Sequence, residues 1–106
     1  MAFTGNEDHS YDWDDAKKLT KKYRDQMSPG DRKGGYFSKA AIQSLLDQDK
    51  CVGIRYYYGL DDNDDQVMVV VGVESDENDL VGGTYICLEA SMPCPPYCGN
   101  NNIINS

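Results

Sequence analysis

Two cysteines four positions apart with two prolines between them, in MPCPPYCGN (residues 92–100), offer the most chemically suggestive spacing in this chain. As half of a zinc site the stretch is poor. A knuckle uses two intervening residues and backbone N–H groups that donate to the first sulfur, whereas here the spacing is three and Pro95 and Pro96 have no N–H. Cys51, Cys87 or His9 would have to complete the ligands, and no second closely spaced pair matches Cys94 and Cys98, which stay weak metal candidates. A redox pair wants a helix N-terminus or nearby cations, but GNNNIINS follows and the surrounding half-chain is acidic. A bridge requires a turn, since an extended polyproline path of four steps spans about 12 Å while bridged Cα atoms lie under about 7 Å apart; Tyr97 and Gly99 would permit one. The reading preferred is structural: Pro93, Pro95 and Pro96 hold an extended tail across the body, with Tyr97 packed beneath.

The run DDNDD (61–65) places Asp61, Asn63 and Asp65 at the first, third and fifth positions of an EF-hand-type calcium loop. Gln66 stands where that loop needs glycine, and Gly72 where it needs a bidentate glutamate. A solvated hairpin turn between two strands explains the run better. Tyr56, Tyr57 and Tyr58 occupy one strand, so at least one ring points away from the core. A tyrosine left outside beside Arg55 and the acidic turn has the composition of an interface; its bland alternative is an edge tyrosine covering its neighbours. His9 lies in an N-terminal stretch expected to fray, which argues against general-base work. No Ser/His/Asp or Cys/His grouping and no phosphate loop accompanies these residues, so no catalytic residue, no cofactor and no enzyme is expected.

Charge narrows the partners. The net charge is −8, and all ten Lys and Arg fall within residues 1–55, against nine acids there; residues 56–106 hold nine acids and no Lys or Arg. Such a field repels phosphate backbones and anionic lipid, which disfavours nucleic acid and membranes and favours a basic protein surface. No stretch approaches the roughly 18 consecutive apolar residues of a membrane span. The N-terminal residues MAFTGNEDHSYD lack basic and apolar signal regions. A cytoplasmic location follows as the expectation, and with it four reduced thiols: compartment and redox state stand or fall together.

The elements that would position these residues are legible in part. Asp12 reads as an N-cap, followed by apolar Ala16, Leu19, Tyr23 and Met27 at helical spacing, with Asp14 and Asp15 at one end and Lys17 to Arg24 behind them. SPGDRKGG (28–35) reads as a loop. Ser38 caps a second helix whose buried stripe is Ile42, Leu45 and Leu46. In CVGIRYYYG the alternation predicts a strand that buries Val52, Ile54, Tyr56 and Tyr58 and shows Gly53, Arg55 and Tyr57 outward. QVMVVVGVE reads as a central strand covered on both faces, SDENDLVGG as a second acidic loop and TYICLE as a third strand.

The phrase CVGIRYYYGLDD, preceded by SKAAIQSLLDQ and followed by PCPPYCG, resembles a family of short bacterial proteins over roughly residues 12–99. The resemblance implies a stand-alone small domain and brings no activity, ligand or catalytic residue with it.

The expected architecture is α+β in one domain spanning residues 1–106: two N-terminal helices packed on a small antiparallel sheet of two to three strands, with a proline-rich C-terminal tail laid across it and residues 1–10 and 100–106 flexible. The expected core is Leu19, Tyr23, Ile42, Leu45, Leu46, Val52, Ile54, Val69, Val71 and Ile86. The function expected is a non-enzymatic binding module, of the kind that small acidic inhibitors and immunity proteins exemplify. It would contact a basic protein through Tyr57, Asp61, Asp62, Asp64 and Asp65. The alternative is a metal- or thiol-dependent protein using Cys94 and Cys98.

Overall fold

A computed structural model describes residues 2–28, 30–89 and 92–105. In chain order they form α1 (Trp13–Asp25), β1 (Gly34–Tyr36), α2 (Lys39–Leu46), β2 (Gly53–Leu60), β3 (Gln66–Val73), β4 (Asp79–Leu80), β5 (Cys87–Glu89) and β6 (Met92–Cys94). Both helices and all the strand pairings, every one of them antiparallel, belong to a mixed α+β fold. The chain divides into two compact units, Met1–Glu7 with Phe37–Ser91 and Asp8–Tyr36 with Met92–Ser106.

The first unit is a four-stranded sheet with α2. Strand β3 is central: β2 lies along one side of it, β4 and β5 along the other. Its last four residues, Val70 to Val73, are buried one after another, which a strand shows only where both faces are covered. Ser38 caps α2 by accepting the N–H of Ala41 at 3.0 Å, and the helix contributes Leu45, which has no exposed surface. With Val70, Val71, Val73 and Leu80 it makes the buried core. On one face, a Cβ built at Gly72 would meet Cys51 Sγ and Gln48 Nε2 at 3.1 Å and Leu80 Cδ1 at 3.3 Å, so glycine is what lets the end of α2 approach β3.

Both hairpins of this sheet close with the same device. Asp64 donates its N–H to Asp61 O at 2.9 Å and adopts a left-handed conformation (φ +63°), while Asp61 donates to Asp65 O at 3.0 Å. At the β3–β4 turn, Glu77 donates to Glu74 O at 2.9 Å with φ +75°, and Glu74 donates to Asn78 O at 3.0 Å. A β-turn followed by one left-handed residue matches the twist of the flanking strands. The acidic stretch after β3, expected to be a loop, therefore turns tightly into β4.

The second unit holds α1 and a two-stranded sheet of β1 and β6. Asp12 caps α1 by accepting the N–H groups of Asp14 and Asp15 at 2.9 and 3.1 Å. Lys33 N–H donates to Cys94 O at 2.7 Å, and Cys94 and Cys98 are joined in a disulfide with Cα atoms 4.8 Å apart. Arg24 donates to Ile104 O, and Asn102 Oδ1 accepts the N–H groups of Ile104 and Asn105 at 2.8 and 3.1 Å.

Several expectations are corrected. Among the described residues the strands number six, not two or three, because β1 and β6 pair across more than fifty residues, SPGDRKGG ends in strand rather than loop, and the acidic stretch after β3 leads into β4. Only α2 shares a unit with the four-stranded sheet. Among the described residues the extended tail is absent: Pro93 sits in β6, and the chain then turns, with Tyr97 N–H on Pro93 O at 2.9 Å and Cys98 N–H on Pro96 O at 3.0 Å. The physical reason is that strand pairing and the turn give this segment internal hydrogen bonds, which a polyproline ribbon lacks. In the core list, Leu19, Tyr23, Leu46, Ile54 and Ile86 are exposed, while Ile42, Val52 and Val69 are half-buried.

Candidate binding surface

The sheet register decides where each candidate side chain points. Across the hairpin, Ile54 lies opposite Gly72, Tyr56 opposite Val70, Tyr58 opposite Met68 and Leu60 opposite Gln66. Directly opposed residues share a face, so Ile54, Tyr56, Tyr58 and Leu60 form one row on the side from which α2 approaches Gly72. The row is not buried: its four members are between 46% and 68% exposed. The expected alternation along β2 is present, but the parity expected to face the core carries its most exposed apolar side chains. Tyr56 and Tyr58 hold each other edge to face, with ring centroids 5.7 Å apart.

Tyr57 lies on the opposite face with Arg55 and, through Val73 on β3, with Asp79 on β4. Arg55 Nη1 donates to Asp79 Oδ1 at 2.5 Å and to Glu77 O at 3.2 Å, and the Tyr57 hydroxyl donates to Asp79 Oδ2. The guanidinium also stands 6.0 Å from the ring centre of Phe3. Because the Asp79 carboxylate accepts its proton, the Tyr57 phenol is held above its ordinary pKa, with partial desolvation adding to the effect. The same carboxylate raises the pKa of Arg55. Of the residues expected to meet a partner, Tyr57 thus presents a half-exposed ring whose hydroxyl is already engaged.

The other four lie in the turn at the end of β2. Asp61 Oδ1 accepts the N–H groups of Asn63 and Asp65 at 2.9 and 3.0 Å, so this carboxylate organises the turn. Asp62, Asp64 and Asp65 are exposed. The tyrosine row and the acidic turn are continuous, since Leu60 ends the row and Asp61 opens the turn. The sequence puts Ile54 in one row with Tyr56 and Tyr58 but marks it as buried, and nothing in it singles out Leu60, Asp79 or Phe3. The apolar type of Ile54 and Leu60 signals burial, and nothing local links Arg55 to a residue 24 positions away.

Elsewhere the candidates are less productive. An open depression runs over Gln48, Asp49 and residues 81–85, but Gln48 donates to Leu45 O at 3.0 Å and accepts the N–H of Ile86 at 2.7 Å, so its polar atoms are committed to the fold. Among the described residues no three His, Cys, Asp or Glu side chains gather as metal ligands, and the sulfurs of Cys94 and Cys98 are bonded to each other. No described helix is long and apolar enough to cross a membrane. Comparison with known proteins returns no match: no family model, no curated protein and no solved structure resembles the chain.

Proposed function

We propose that this protein is a small, acidic, non-enzymatic binding module, inhibitor- or immunity-like, that meets a basic protein partner across the β2–β3 hairpin. One observation carries the reading: an exposed row of two tyrosines, an isoleucine and a leucine runs directly into a turn with four aspartates. Aromatic anchors exclude water and set the lifetime of a complex, while an excess of like charge steers an oppositely charged partner. Nucleic acid and anionic membranes carry the wrong sign for such a surface. A resemblance to short bacterial proteins, resting on sequence alone, completes the reading, whereas the Cys94–Cys98 bridge counts against the cytoplasmic location expected with four reduced thiols.

The test is capture from lysate of the protein's own host at low and at raised salt. A basic protein retained at low salt, with Asp62→Asn and Asp64→Asn lowering its association rate more than they raise its dissociation rate, supports the module. A partner that is acidic and indifferent to both substitutions refutes it. The second reading, a thiol-dependent protein using Cys94 and Cys98, is favoured by their bridge. Since bridges persist in oxidising compartments, thiol counting on freshly isolated protein tests this reading and the cytoplasmic placement together.

A further inference from the structure

Resting on the binding-module reading, the outer edge of β2 says how a partner would be held. Among the described residues, β2 is the last strand on its side of the sheet. Asp61 donates to Asp65 O, a pair in register with the ladder, and hydrogen-bonded pairs in an antiparallel ladder recur at every second residue. Counting back, Gly59, Tyr57 and Arg55 bond to β3, while Leu60, Tyr56 and Ile54 turn their N–H and C=O groups to the outer edge. All three belong to the exposed apolar row, so the same positions offer both backbone and side-chain contact.

Natural edge strands are protected by proline, lysine, shortness or a bulge. Strand β2 has eight residues, no proline and no lysine, and its single charge, Arg55, is paired to Asp79. Charge selects the occupant. The unit that contains β2 carries twelve acids against three bases, Lys39, Lys50 and Arg55. A second copy of that edge would bring like charge to like charge, whereas an extended basic segment would meet its complement.

We infer that the outer edge of β2 accepts an extended basic segment of the partner as an added antiparallel strand, its apolar residues over Ile54, Tyr56 and Leu60 and its cationic residues near the Asp61–Asp65 turn. Backbone pairing supplies affinity in such strand addition, and alternate side chains supply specificity.

The probe is a fluorescent nonapeptide, Lys-Val-Lys-Thr-Lys-Val-Lys-Val-Lys, whose valines oppose Leu60, Tyr56 and Ile54 in an antiparallel register, titrated against the intact protein by anisotropy at low salt. With valines over the row, each valine N–H points at β2, so N-methylation of the three valines should weaken binding by about tenfold or more, whereas N-methylation of the lysines should leave it within about twofold. On the protein side, Tyr56→Pro removes one outward N–H and should weaken binding beyond the control Tyr56→Ala. The peptide series stays decisive if the proline variant fails to fold. Equal binding by both methylated peptides, with loss on Asp62→Asn and Asp64→Asn, overturns strand addition and leaves the basic-partner reading standing. No salt-dependent binding by any of the peptides overturns both. Concentration-dependent dimerisation through β2, abolished by Tyr56→Pro, overturns the choice of occupant.

Discussion

Replacing Leu45 by alanine tests the packing that holds the hairpin. The side chain has no exposed surface, and α2 approaches the face of β3 that carries Val70 and Gly72, with Leu80 of β4 beside them. Removing three carbons forfeits about 2 to 3 kcal/mol of transfer free energy at ~0.8 kcal/mol per methylene. The cavity left behind adds to that, which puts the total at about 3 to 4 kcal/mol, within the range of buried leucine truncations. In a protein with about 5 to 15 kcal/mol of stability this is a large fraction, and the melting temperature should fall by roughly 10 to 20 °C. Leu46, one residue on and 40% exposed, is the internal control: Leu46→Ala should cost about 1 kcal/mol or less. Urea unfolding of the parent and both variants measures the difference, with the midpoint moving and the slope unchanged. Comparable losses for the two leucines, or less than about 1 kcal/mol for Leu45→Ala, would mean that α2 does not pack on the sheet by the face described.

Other outcomes follow from the turn, the bridge and the phenol. Replacing Cys94 and Cys98 together by serine should cost about 2 kcal/mol, the loop-closure term for a five-residue ring, and the unfolded parent without reductant should alkylate at Cys51 and Cys87 only; four reactive thiols would contradict the bridge. Millimolar calcium should leave the melting temperature unchanged, because Asp61 Oδ1 already accepts two backbone N–H groups, and Asp61→Ala should destabilise by about 1 kcal/mol with or without calcium. A calcium-specific rise lost in that variant would reverse the assignment. Tyr57 should ionise above its ordinary pKa of about 10 and return toward it in Asp79→Asn, read from phenolate absorbance against Tyr57→Phe. Because the folded pKa is raised, the stability difference between parent and Tyr57→Phe should be constant below about pH 10 and shrink as the pH climbs through the folded value. A difference that grows with pH would exclude the Asp79 hydrogen bond as its source.

What the sequence determined by itself was local. Asp12 and Ser38 announce helix starts because a short oxygen-bearing side chain can reach the next two or three N–H groups whatever the rest of the chain does. DDNDD announces a turn for the same reason, since Asp61 satisfies N–H groups two and four residues ahead. The unbroken apolar run in β3 announces a central strand because both of its faces must be covered. Tertiary structure decided the rest. A period of two reveals that β2 alternates but not which parity meets the core, and the row expected inside is the one left exposed. The apolar stripe of α1 has no buried member, with Leu19 59% exposed, because periodicity states which residues share a face and not what that face packs against. Pairing of Gly34–Tyr36 with Met92–Cys94, the Arg55–Asp79–Tyr57 cluster and the turn that brings Cys94 to Cys98 depend on closures and hydrogen bonds that only the folded chain makes available, and a linear pattern holds no record of them.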